Sequence, residues 1–224
     1  MKKILVIAAH PDDEILGCGA TISKYIKNGD EVYVCIVCEG SSGRFKDKYY
    51  LTSEEKIEGI INKDINIREE SAKKASKSLG VKEIYFLNFP NLELHLIPQL
   101  KVNKLIEKHI GKIKPDIIFT HTNFDNNIDH RSVYDSTIIS SRGIKKVITF
   151  EIIGSTTDKF LPNLFIDIED TFCNKEKSLK FYEDEIQAYP LPRSLEGIEI
   201  LAKYRGLSCN KRLAEAFMVI RDIE

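Results

Sequence analysis

The stretch that most constrains this chain is the apolar run Ile4-Leu5-Val6-Ile7, which leads directly into Ala8-Ala9-His10-Pro11-Asp12-Asp13-Glu14. A continuous aliphatic run bounded by a proline predicts a strand buried on both faces, hence a central strand with helices on either side. The residues that follow, Ile15-Leu16 through Ile22 and then Tyr25-Ile26, recur at helical spacing and stop near Gly29. One histidine and three acids therefore fall where a central strand ends and a helix begins, the edge at which open α/β sheets bind ligands. Histidine and carboxylates together suit a zinc-like cation, and three protein ligands leave a position for water. Helix capping by Asp12 or Asp13 accounts for an isolated acidic pair. It accounts less well for a His placed two and three positions ahead of two adjacent acids.

Farther along, Glu31 to Cys38 reads as a second strand ending in the small-residue loop Glu39-Gly40-Ser41-Ser42-Gly43-Arg44, on the same edge as His10. The stretch from Lys46 to Lys63 is charged, tyrosine-bearing and weakly periodic, compatible with a helix, a solvated insertion or a flap over the site. A helix is predicted from Asn66, with Ile67, Ala72, Ala75 and Leu79 on one face and Gly80 closing it. Glu83–Leu87 reads as a third strand, Leu100–Ile113 as an amphipathic helix, and Pro115–Thr120 as a fourth strand. This alternation predicts an α/β fold with a parallel sheet and right-handed crossovers. Strand four runs into a second polar cluster, His121 to Arg131, followed by a helix through Val133, Ile138 and Ile139. Two polar clusters thus arrive at one edge of one sheet, and capping explains the pair badly. Neither GxGxxG nor GxxxxGK[ST] occurs, so dinucleotide and P-loop readings lack their phosphate cradle.

The 224 residues suit one α/β domain spanning 1–224. A formal net charge of −1 gives no field that would attract nucleic acid or an anionic membrane. No apolar run approaches the ~20 residues of a membrane span, and Lys2-Lys3 leads straight into a core strand rather than a secretory leader. The five cysteines are scattered. Cys35 and Cys38 have CxxC spacing but lie within a strand, where residues three apart face opposite ways. Structural thiols, and with them a reducing cytoplasm, are the expectation. His95 and His109 read as structural or surface residues, and His121 as lining the pocket.

The two clusters together resemble the LmbE-like de-N-acetylases, the family of N-acetylglucosaminylphosphatidylinositol de-N-acetylase and its bacterial relatives. The resemblance is carried by AHPDDE at Ala9–Glu14 and DHR at Asp129–Arg131. It extends to Arg68-Glu69-Glu70, Phe86-Leu87-Asn88-Phe89-Pro90, the Glu151–Thr156 stretch, and the tail segments Pro192–Glu196, Tyr204–Gly206 and Ala214–Phe217. It implies a three-layer Rossmann-like, mostly parallel sheet with helices on both faces. It also implies a cation, zinc most often and iron(II) as the alternative, held by His10, Asp13 and His130, with Asp12 as general base. Asp129 and Glu14 would support these residues from behind. The implied activity is removal of an N-acetyl group from an N-acetylglucosamine-type sugar or sugar conjugate, by a small-molecule enzyme that often assembles into homo-oligomers. Arg68, Arg193 and His121 are the substrate-side candidates; Arg193, Arg205 and Glu215 have an equally natural reading as ties between the tail and the sheet. Many family members carry a His three positions before the second metal-binding His, and here that position is Asn127. An amide donates a neutral hydrogen bond to an oxyanion, so Asn127, a water held by Asp125 and His121 are the candidates for that task. Two other readings stay open: a metal-dependent phosphoesterase, against which the two histidines argue, and a sugar-binding member without turnover.

Overall fold

The computed structural model describes residues 1–45 and 54–224. The first apolar run forms β1 (Lys3–Ala8), buried from Ile4 onward. It pairs in parallel with β2 (Glu31–Cys38) on one side and β4 (Ile117–His121) on the other. Its side chains alternate between two apolar layers. Ile4, Val6 and Ala8 join Ala72, Ala75, Leu79 and Phe172, whereas Leu5, Ile7 and Ala9 join Val102, Ile106 and Val133. A strand with two apolar faces is stable only between helices, and the chain supplies them. Helices α1 (Asp13–Lys27), α3 (Glu54–Leu79), α6 (Phe172–Leu179) and α7 (Leu195–Leu207) pack on one face. Helices α4 (Gln99–Ile113) and α5 (Ile128–Ser140) pack on the other, and α2 (Ser42–Phe45) is a single turn in the loop after β2.

Among the described residues the sheet has seven strands in the order β3-β2-β1-β4-β5-β7-β6, with β3 (Glu83–Phe89) at one rim, β5 (Lys146–Phe150) inside, and β6 (Leu164–Asp167) at the other rim. The first five strands are parallel, and β7 (Ala214–Asp222) runs antiparallel between β5 and β6. The architecture is therefore three-layered and mostly parallel. The order reverses between β1 and β4, so their carboxyl ends open a crevice at the switch point.

Two local expectations are corrected. Helix α3 starts at Glu54, well before Asn66, and residues 54–63 of the charged stretch are its first turns; residues 46–53 of that stretch lie outside the described residues. Ile67 is 44% exposed, and the neighbouring Arg68 turns inward instead, bound to the carbonyl of Pro11. Cys35 and Cys38 do not face opposite ways: the β2–β3 register shifts between Ile36 and Cys38, which brings both thiols into one apolar layer. The extra residue of such a bulge turns the side chain that follows it.

Helix α1 is broken at Cys18 (φ −151°, ψ 24°). The main-chain groups freed by the break are taken by a buried ion pair. Lys175 Nζ donates to the carbonyl of Leu16 at 2.7 Å and to Glu215 Oε1 at 2.6 Å. The Glu215 carboxylate in turn accepts from the amides of Ala20 (3.3 Å) and Thr21 (2.8 Å). The pair is thus spliced into the helix ladder, and Glu215 caps the second helical segment as an acid does at any helix start. The break also needs small residues: a Cβ on Gly17 would lie 2.3 Å from Phe150 Cδ2.

Candidate active site

The first short segment of α1 carries Asp13 and Glu14 at the carboxyl end of β1, and Asp12 precedes it in a left-handed conformation (φ 121°). Such a backbone costs an L-residue about 1–3 kcal/mol and persists only when its surroundings impose it. Here the Asp12 amide donates to Glu14 Oε2 at 3.1 Å, and the Asp12 carbonyl accepts from Ile15 and Leu16. Glu14 is held by the Tyr182 hydroxyl at 2.5 Å. Burial, with Asp12 adding repulsion against the help of Tyr182, pushes the Glu14 carboxyl up to about 8.

The second cluster arrives from β4 and the start of α5. The Asn127 side chain caps α5 by accepting from the amide of Asp129, which sets Asp129 and His130 in its first turn. His10 Nδ1 lies 3.2 Å and His130 Nε2 3.2 Å from Asp13 Oδ2. Ligand atoms of His10, Asp13 and His130 all fall within 4.8 Å of one another, and all three residues are buried. His130 Nε2 and Asp13 Oδ1 make no hydrogen bond among the described residues. Burial opposes a charged His130, but Asp13 and Asp125 beside it raise its pKa to about 10. The spot thus favours positive charge, and two imidazoles with a carboxylate are a donor set for zinc or iron rather than magnesium. The residues fit a divalent cation.

The other ring nitrogens each face a carboxylate from behind, the arrangement that orients metal-binding imidazoles. His10 Nε2 meets Asp129 Oδ2 at 2.9 Å, and Asp129 also accepts from the amides of Leu92 and Leu94. His130 Nδ1 lies 3.2 Å from Asp125 Oδ2, an oxygen that accepts from Ser155 and Thr156 at 3.0 Å each. Asp125, Ser155 and Thr156 explain why the Glu151–Thr156 stretch belongs to the site. Cys38 also stands within ligand reach of His10 and Asp129; the β2 bulge places it there, and no sequence signal announced it.

Asp12 is 1% exposed and lies beside this cluster rather than in it. Burial, with repulsion from Asp13, raises its carboxyl to about 6 against the pull of Arg193 and Arg68. Arg193 Nη1 donates to Asp12 Oδ2 at 3.1 Å, while Oδ1 has no partner among the described residues. Arg68 is buried, donating to the Pro11 carbonyl at 2.9 Å and pairing with Glu185. His121 is wholly buried, stacked on His130 with ring centroids 4.0 Å apart, and its Nε2 accepts from the amide of Ala9. Burial, then His130, holds it well below the ordinary imidazole range, so it is neutral. Arg205 forms a two-armed pair with Glu151 (2.7 and 2.6 Å), away from Asp12. His95 is exposed and His109 half-buried on α4. Tyr182 and Glu185, which sequence reasoning missed, come from the aperiodic segment between α6 and α7.

Fold and site define a class: a Rossmann-like α/β protein whose strand-end His and Asp side chains form a cation site with one further acid beside it. The GlcNAc-PI de-N-acetylase (PIG-L) family model matches residues 5–139, more than half of the chain, and the chain belongs to this family. It is 29% identical over 184 residues to the uncharacterized deacetylase YaiS of Escherichia coli strain K12, covering 80% of this chain and 89% of that protein. It is 26% identical over 239 residues to the diacetylchitobiose deacetylase of Thermococcus kodakarensis, covering 100% and 85%. The N,N'-diacetylchitobiose deacetylase structure from Pyrococcus horikoshii superposes with a TM-score of 0.77 at 23% identity, covering 98% and 84%, a likeness of fold. No helix among the described residues is long and apolar enough to cross a membrane.

Proposed function

We propose that the protein is a divalent-metal-dependent N-deacetylase acting on an N-acetylglucosamine-type sugar or sugar conjugate. The observation that carries the reading is the convergence of His10, Asp13 and His130 on one buried spot, with Asp12 left outside that donor set. Family membership and relatives described as sugar deacetylases support it. His10, Asp13 and His130 would hold zinc or iron(II), which when bound acidifies a water and polarises the acetamide carbonyl. Asp12 Oδ1 is the proton acceptor: Arg193 occupies the other oxygen, and a carboxyl near 6 takes a proton at neutral pH and can return it to the departing amine. Asp129 and Asp125 fix the tautomers and ring planes of His10 and His130. Glu14 and Tyr182 hold the Asp12 backbone. With Asn127 Oδ1 committed to the α5 cap, its amide nitrogen is left to donate toward an oxyanion. Five unpaired cysteines suit a cytoplasmic enzyme.

The test is acetate release from a panel of N-acetylated sugars by zinc-loaded protein. Asp12→Asn should lower turnover by about 10²–10⁴-fold while leaving the metal content measured by mass spectrometry unchanged. Undiminished turnover in the variant, or in fully chelated protein, refutes the mechanism.

A further inference from the structure

Three arginines from three distant parts of the chain meet at the mouth of the site, and the mechanism above uses only one of them. Arg44 grips Glu185 with two parallel bonds, Nη1 to Oε1 and Nη2 to Oε2 at 2.8 Å each. Arg68 donates to the same carboxylate through Nη1 and to the Pro11 carbonyl through Nη2. Arg193 bonds Asp12, one residue past that carbonyl. A guanidinium receives a substrate carboxylate or phosphate in the same forked geometry. Glu185 thus occupies an anion position that Arg68 links to the Pro11 carbonyl, one residue before the proposed general base.

Three further observations mark this position as a receptor rather than a structural knot. Arg68 is 5% exposed, yet its Nε–H has no acceptor among the described residues. Gly40 packs closely on that guanidinium and leaves no room for a side chain, since a Cβ there would lie 2.8 Å from Nε. Glu185 itself sits outside any helix or strand, and it borders a cavity of about 230 Å³ lined also by Ser71, Lys74, Lys180 and Tyr182. Arg44 and Arg193 are part-exposed, so an incoming group meets them first. Around the three cations stand Glu185, Asp12 and, acting on Arg44 from α3, Asp64.

We propose that the substrate is an anionic N-acetylated sugar conjugate whose carboxylate or phosphate displaces Glu185 among Arg44, Arg68 and Arg193. The sugar half of this inference rests on the deacetylase reading; the anion half does not. The metal-loaded full chain should deacetylate N-acetylglucosamine 1-phosphate or a carboxymethyl N-acetylglucosaminide at least about tenfold more efficiently than the neutral methyl glycoside, which corresponds to 1.4 kcal/mol. The gain should lie in KM, and the better arm identifies phosphate or carboxylate as the native group. Glu185→Gln should widen this preference by removing the internal competitor, and Arg44→Gln should narrow it toward unity. Calorimetry with inorganic phosphate and with malonate should show the same order, tighter to Glu185→Gln and weaker to Arg44→Gln than to the unaltered protein. Neither substitution touches the cation ligands, so anion binding to the metal cancels in the comparison. Equal efficiency on charged and neutral glycosides, with anion binding unmoved by both substitutions, overturns the proposal. If no glycoside releases acetate but the calorimetric order is found, the anion site stands and the deacetylase reading falls.

Discussion

Replacing Lys175 by Met isolates the splice in α1. The Lys175 and Glu215 side chains are each 5% exposed and 2.6 Å apart. Removing one partner of a buried pair leaves the other charge uncompensated, at a cost of about 3–5 kcal/mol. The Leu16 carbonyl loses its donor as well, which places the expected loss near the upper end of that range. For a chain of 150–250 residues each kcal/mol lowers Tm by about 2–4 °C, so Lys175→Met should melt about 10–20 °C earlier by circular dichroism or calorimetry. The double variant Lys175→Met/Glu215→Gln should recover roughly half of the loss, because a neutral amide oxygen still accepts from Thr21 without a stranded charge. Turnover should fall with metal content retained, since the break sits only a few residues beyond Asp12 and Asp13. A shift below about 2 °C, or a double variant no more stable than the single one, would show that the splice does not carry the energy assigned to it.

Gly17→Ala forces a methyl against Phe150 and should destabilise by about 1–3 kcal/mol, with Phe150→Leu relieving the clash in the double variant; urea midpoints measure both. Chelation should lower Tm, because a cation present at 100 times its dissociation constant contributes about 2.7 kcal/mol; an unchanged melt after metal removal, checked by mass spectrometry, counts against His10, Asp13 and His130 as ligands. Burial, reinforced by Lys108 and Lys112, depresses the His109 pKa below its ordinary value. The unfolded chain then binds the proton at higher pH than the folded one, so this contribution is present above about pH 6.5 and lost as pH falls below it. His109→Gln should flatten that part of the stability–pH curve, and parallel curves for the two proteins would refute the assignment.

Four of the five parallel strands, β1 to β4, were legible because each is a short, nearly continuous apolar run, and the polar residues at their ends could then only gather along one edge; β5 was not anticipated. His10, Asp13 and His130 meet for that reason. Less could be read where tertiary contacts decide. The first turns of α3 carry Ile57, Ile60 and Ile61 at helical spacing, a signal confined to one turn amid charged residues and so passed over, and Arg68 took the buried face expected of Ile67 by donating to the Pro11 carbonyl. The four-residue β6 is too short to announce itself. Tyr182, Glu185 and Arg193 belong to a segment without periodicity, so nothing local ties them to Asp12. Cys38 turned toward His10 through a bulge that obeys the pairing of β2 with β3 rather than any residue preference. Glu215 and Arg205 show the limit from the other side: ion-pairing was a natural expectation for both, but the partners Lys175 and Glu151 are visible only in three dimensions.

The strand order also bears on how the chain is made. Its last strand, β7, slots between β5 and β6 instead of adding at a rim. Until residues 214–222 emerge from the ribosome, β5 presents a bare row of peptide groups and β6 has no neighbour. An open, apolar edge of that kind pairs readily with other chains. Nascent or prematurely terminated molecules should therefore depend on chaperones more than the finished enzyme does, and a stop codon shortly before Ala214 should yield aggregates rather than a smaller working protein.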